Sequence, residues 1–158
     1  MILAATGHRP AKLGGFDENN PLRLWVRAQI RAALEDLRPE KGISGMAVGV
    51  DQDFAEACIA LGIPFIAAVP FRGQELRWPY EAQKRYHALL KSAAQIVCVS
   101  EPGYAVWKMQ TRNQYLVDNC DLLLAVFDGA SGGTANTVQY AQRVGKPIRL
   151  IDLKDYIA

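Results

Sequence analysis

The residues of this chain best suited to chemistry fall in four short stretches. The first is Asp128-Gly129-Ala130-Ser131-Gly132-Gly133-Thr134-Ala135-Asn136-Thr137, which follows the apolar run Leu122 to Phe127 and opens a helical pattern ending at Gly145-Lys146-Pro147. A buried strand, a glycine-rich turn and a helix start, in that order, make a seat for phosphate. Glycines let backbone approach the ligand, free amide N–H groups donate to it, and the helix dipole adds roughly half a positive charge. Thr134, Asn136 and Thr137 would add side-chain hydrogen bonds.

The second stretch, Thr6-Gly7-His8-Arg9-Pro10, sets a hydroxyl, an imidazole and a guanidinium beyond an apolar start. Arg9 is able to grip phosphate through two parallel N–H bonds, which lysine cannot do. His8 fits a structural role as well as a catalytic one. In the third, Ser44-Gly45-Met46-Ala47-Val48-Gly49-Val50-Asp51, Gly45 and Gly49 bring backbone close to a ligand. Asp51 has two roles open to it, N-cap of the following helix or a contact to a ribose hydroxyl. The fourth pairs Arg112 with Asn113, about two turns into a helix whose apolar face carries Met109, Leu116 and Val117. Arg112 is either a cationic clamp or a solvated surface cation, and Asn113 points inward and needs partners. Trp78, in a polar irregular stretch, is either a stacking surface for a base or an aromatic cover for the core.

Elements that position these groups alternate along the whole chain. Ile2–Ala5, a segment ending near Ser44-Gly45, Pro64–Val69, Gln95–Val99, Leu122–Phe127 and Ile148–Ile151 read as strands. Leu22–Leu37, Asp51–Leu61, Tyr80–Lys91, Ala105–Asn119 and Thr134–Val144 read as helices. The pattern predicts an α/β fold, a Rossmann-like three-layer sandwich with a mostly parallel sheet and helices on both faces. One domain over 1–158 is expected, able to bury roughly 68–70% of its unfolded surface. In such sheets ligands bind beyond the carboxyl ends of the strands, where the first three stretches lie and near which the helix carrying the fourth begins.

Bulk properties narrow the function. A net charge of +2 on 158 residues gives no reason to expect a salt-dependent grip on nucleic acid or membrane. No apolar run reaches the length of a membrane span, and Thr6-Gly7-His8-Arg9-Pro10 interrupts the apolar start too early for a signal peptide. Cys58, Cys98 and Cys120 lie in apolar patterns without a CxxC pair and read as buried hydrophobes of a reducing, cytoplasmic protein. Nothing has metal-ligand spacing, and no cofactor is expected.

Taken in order and spacing, Thr6-Gly7-His8-Arg9-Pro10, Trp78, Arg112-Asn113-Gln114-Tyr115 and Asp128-Gly129…Gly132-Gly133-Thr134 resemble the YpsA-type branch of the SLOG superfamily, over nearly the whole chain. That resemblance implies a Rossmann-like domain binding nucleotides or nucleotide-derived ligands. Ser44-Gly45-Met46-Ala47-Val48-Gly49-Val50-Asp51 is similar to a stretch of DNA-processing protein A, which shares the fold and binds single-stranded DNA. Met109-Gln110-Thr111-Arg112-Asn113 and Asp121-Leu122-Leu123 resemble the LOG phosphoribohydrolases, with Arg112 falling on the catalytic arginine. The acid those enzymes carry further on is replaced here by Gln139 or Thr137, depending on the alignment. Cleaving an N-glycosidic bond calls for a carboxylate, whose general-base help is typically worth about 10²–10⁴ in rate; Asp51, Glu101 and Asp128 are the substitutes within reach.

The expectation is therefore a module that binds or senses a nucleotide or NAD-derived small molecule. A LOG-like N-glycosidase is the alternative, and single-stranded DNA binding ranks third. By analogy with related folds, a homodimer is expected.

Overall fold

The computed structural model describes residues 1–157. Six strands form one sheet: β1 (Ile2–Gly7), β2 (Lys41–Ser44), β3 (Phe65–Val69), β4 (Gln95–Cys98), β5 (Leu122–Phe127) and β6 (Ile148–Asp152). Their order is β4-β3-β2-β1-β5-β6, and every pairing is parallel. Five helices connect them: α1 (Pro21–Leu37), α2 (Val50–Ala60), α3 (Tyr80–Ser92), α4 (Val106–Asp118) and α5 (Gly133–Arg143).

The order explains the layering. From β1 the chain winds outward through β2 and β3 to β4, then returns across the sheet to β5 and continues to β6 the other way. Parallel crossovers are right-handed, so reversing the winding direction moves the helices to the opposite face. Helices α1, α2 and α3 accordingly cover one face, packing Val26, Ile30, Phe54, Ala55, Tyr86 and Leu89 on Leu3, Ala5, Ala67, Val69, Leu124 and Val126. Helices α4 and α5 cover the other, with Leu116, Val117 and Ala141 on Ala4, Ile43, Ala68 and Leu123. Alternate residues of β1 serve the two cores, as the two-residue period of a strand requires. Each large apolar side chain fully buried here stabilises the fold by about 1.5–3 kcal/mol.

Local sequence sets the element ends. Asn20 caps α1, its Oδ1 accepting the Arg23 N–H at 3.0 Å, and Pro21 occupies the first helical position. A buried ion cluster ties α1, α2 and α3 together. Asp53 Oδ1 accepts from Arg23 Nη2 at 3.1 Å, Arg27 Nε at 3.2 Å and Arg85 Nη2 at 3.1 Å, with the Asp53 side chain fully buried. Cys58 and Cys120 are buried, but Cys98 is exposed, contrary to the sequence expectation. The cause is the position of β4, a sheet-edge strand with only β3 beside it. Among the described residues no helix is long and apolar enough to cross a membrane.

Candidate functional site

The winding reverses between β1 and β5. Their register, Thr6 beside Ala125 and Gly7 beside Val126, brings the two following loops out side by side. Open α/β sheets place their ligand crevice at this switch point. A crevice of about 290 Å³ opens there, walled by the ends of β1 and α5, the β2–α2 loop and the middle of α4.

The β1 loop contributes Thr6, Gly7, His8 and Arg9 to the crevice wall. His8 is buried, its Nε2 3.0 Å from Asp128 Oδ1, and its backbone amide continues the sheet by donating to Val126 O at 3.3 Å. Asp128 does not line the crevice. Its Oδ1 also accepts the Ala130 N–H at 2.9 Å, and this bond, followed by the one to His8, lowers its pKa from the usual carboxylate value. The pair pins the β1 loop to the β5 loop. Lys12, in a single 3₁₀ turn at Pro10–Lys12, lines the crevice and donates to Ser131 O at 3.4 Å. Lys12 carries no signal in the sequence, because a one-turn helix has no periodicity to flag it.

In the β2–α2 loop Ser44 Oγ donates to Asp51 O at 2.7 Å and accepts the Met46 N–H at 3.1 Å. Met46 sits in the left-handed region at φ 64°, a conformation costing about 1–3 kcal/mol that the surrounding bonds must hold. Gly49, at φ 107°, is the residue before α2; a Cβ there would stand 2.6 Å from His8 O. Gly49 therefore packs the two loops together and does not line the crevice. Asp51 is not the N-cap. It is the second residue of α2, and its Oδ2 accepts the Ala47 N–H at 3.2 Å, while the carboxylate lines the crevice. Burial raises its pKa from the ordinary 3.8, against the pull of nearby Arg112.

Arg112 is buried, not a surface cation: it is 3% exposed. Its Nη1 donates to Gly45 O and its Nε to Asn113 Oδ1 at 2.9 Å. Among the described residues no carboxylate comes within ion-pair distance of it. Burial lowers its pKa and the Asp51 charge partly restores it. Gly45 makes room behind it, since a Cβ there would lie 2.6 Å from Nη1 and 2.8 Å from Asp51 Oδ2. Asn113 is half-buried and, with Met109, completes this wall.

Opposite stands the start of α5, where Gly132, Gly133 and Thr134 line the crevice and no side chain caps the helix. Gly132 has φ 143° and ψ −167°, a conformation reserved for glycine. Asn136 and Thr137 lie elsewhere. They line a neighbouring groove between α4 and α5, and Thr137 Oγ1 donates back to Gly133 O at 2.9 Å. Trp78 is half-buried against Tyr86, ring centres 5.2 Å apart, so it covers the core and is not a wall of the crevice. Glu101 faces another hollow beside Trp107. Of the acids named above, Asp51 alone lines the crevice. Among the described residues no group of three or more His, Cys, Asp or Glu is placed to hold a metal ion.

Fold and crevice together define the class: a Rossmann-like α/β domain whose switch-point crevice carries three cationic side chains, Arg9, Lys12 and Arg112, and one carboxylate, Asp51. The chain belongs to the YspA SLOG family (YpsA), whose family model matches residues 3–156. It is 31% identical over 145 residues to the uncharacterized SPbeta prophage-derived protein YoqJ of Bacillus subtilis, covering 78% of this chain and 84% of that protein. Among solved structures, DNA processing protein A from Streptococcus pneumoniae matches with a TM-score of 0.70 at 17% identity over 94% of this chain. The present chain spans 49% of that protein. The molybdenum cofactor carrier protein of Chlamydomonas reinhardtii matches with a TM-score of 0.59 at 15% identity, over 94% of this chain and 74% of the carrier. At these identities the structural matches speak for the fold alone.

Proposed function

We propose that this protein binds an anionic, nucleotide-like small molecule in the switch-point crevice, as a sensor or carrier. The phosphate lies on the N–H groups at the start of α5, over Gly132, Gly133 and Thr134, and Arg112 faces it from α4. The observation that carries this reading is Arg112 itself: a guanidinium removed from water, with no carboxylate paired to it, on the wall of an open crevice. A buried charge is costly until an opposite charge reaches it. An incoming phosphate supplies that charge, and the uncapped helix start supplies free donors and a favourable dipole. Arg9 and Lys12 strengthen the positive field. A molybdenum cofactor carrier with the same fold is in keeping with holding, not converting, an organic anion.

A hydrolase is the second reading, and Asp51 is the observation in its favour: a buried carboxyl with a raised pKa, beside Arg112, on the crevice wall. Gln139 and Thr137 cannot replace the missing acid. One panel separates the two. Nucleoside monophosphates are scored for thermal shift and for release of free base. Binding alone predicts a stabilisation of about 2.7 kcal/mol at one hundred times Kd with no base released. Base release that disappears in Asp51→Asn would establish the hydrolase instead, and no shift with any anionic ligand would remove both.

A further inference from the structure

A groove of about 310 Å³ runs between α4 and α5 and joins the crevice at Asn113, which lines both. Two facing ridges form it. Gln110, Asn113 and Gln114 stand on α4, at the i, i+3, i+4 spacing that places side chains on one helix face. Asn136 and Gln139 stand on α5, followed by Tyr140 and Arg143. Five of these side chains are primary amides, each with two donors and an acceptor. Gln110, Gln114, Asn136 and Gln139 are exposed, so those groups are open to a ligand. The far end is firmer: Tyr140 Oη donates to Asp118 Oδ1 at 2.8 Å, and the Arg143 guanidinium lies over the Tyr140 ring at 5.8 Å.

Polarity changes sharply along this surface. The crevice carries Arg9, Lys12 and Arg112; its neighbour carries neutral amides until Arg143. Cations suit phosphate, whereas amides suit an uncharged heterocycle whose edge mixes donors and acceptors. Asn and Gln match the adjacent N6 and N7 of adenine with a donor and an acceptor each. From Asn136 to Arg143 the helix advances about 10 Å, enough for a base and part of a sugar.

Resting on the phosphate-binding reading above, we propose that this groove is the base subsite of the same ligand. A purine nucleotide of the adenine type puts its phosphate on the start of α5 and its base between the amide ridges.

The test compares ribose 5-phosphate, adenosine, AMP and UMP by calorimetry, on the wild type and on Gln114→Ala and Gln139→Ala. Both substitutions are on exposed helix surface, where the fold tolerates them. Wild type should bind AMP at least tenfold more tightly than ribose 5-phosphate and more tightly than UMP. Each variant should lose about threefold to tenfold of that advantage, with ribose 5-phosphate affinity unchanged. An advantage that is absent in the wild type, or that survives in both variants, overturns the base subsite while leaving the phosphate seat. Adenosine binding that Gln139→Ala weakens, with nothing gained from the phosphate, sustains the groove and removes the phosphate seat. No binding of any of the four ligands overturns both.

Discussion

Gly133→Ala separates the ligand seat from the scaffold that carries it. Gly133 is the first residue of α5, it lines the crevice, and a Cβ there would meet nothing within 4 Å. Its backbone lies outside the left-handed region that only glycine favours. Alanine therefore fits the folded chain and restricts the unfolded one, stabilising the ligand-free protein by about 0.4–1 kcal/mol. For a domain of this size 1 kcal/mol corresponds to roughly 2–4 °C, so the melting temperature should rise by about 1–4 °C. The same methyl group stands among the N–H donors assigned to phosphate. Losing one charge-assisted hydrogen bond costs about 1.5–3 kcal/mol, equivalent to a roughly 10- to 150-fold weaker Kd. Differential scanning calorimetry without ligand and titration with a nucleoside monophosphate read the two effects separately. A more stable variant with unchanged affinity would refute the placement of phosphate on α5.

Three further outcomes follow from the geometry. Gly45→Ala forces a Cβ to 2.6 Å from Arg112 Nη1; it should destabilise by about 1–3 kcal/mol in denaturant titrations and weaken ligand binding although position 45 is not on the crevice wall. Asp53→Asn leaves Arg23 and its neighbours without their shared carboxylate, and denaturant titration should show a loss of about 3–5 kcal/mol, with the affinity of the folded fraction retained. The raised pKa of Asp51 means that the native state holds a proton the unfolded chain has released. Relative to Asp51→Asn, wild type should therefore lose stability as pH rises from 3.8 through the raised value, and its affinity for sulfate should fall over the same interval; parallel pH profiles of the two proteins would contradict this.

Much of this architecture is legible in the chain, and what escaped has definite causes. Leu122–Phe127 is a strand at the limits expected, because a continuous apolar run is closed at both ends by Asp121 and Asp128. Arg112 and the Gly132-Gly133-Thr134 turn line one crevice: the turn follows a strand end, and Arg112 lies on a helix that begins at the same edge of the sheet. Strand order is not written in local periodicity, so the switch point between β1 and β5 became visible only with the sheet assembled. Capping is one of two roles the sequence leaves open to Asp51, because it precedes an apolar helical pattern; Gly49 ends the loop earlier and leaves the carboxylate to hold the Ala47 amide. Asn136 and Thr137 turned away from the crevice because a helix rotates about 100° per residue, which separates positions adjacent in sequence. The Arg23–Asp53–Arg85 cluster joins residues about thirty apart, a distance at which charge pairing leaves no pattern in a single sequence.

The central claim is that Arg112 and the start of α5 hold a phosphate-bearing ligand. Mass spectrometry of the small molecules released on denaturing the purified protein tests it most directly, with wild type beside Arg112→Gln and Arg112→Lys. Wild type should release a phosphate-containing, nucleotide-like compound; Arg112→Gln should release little or none and Arg112→Lys an intermediate amount. The same compound in equal amount from all three proteins would contradict the account, as would a wild type that releases none and binds no added nucleotide.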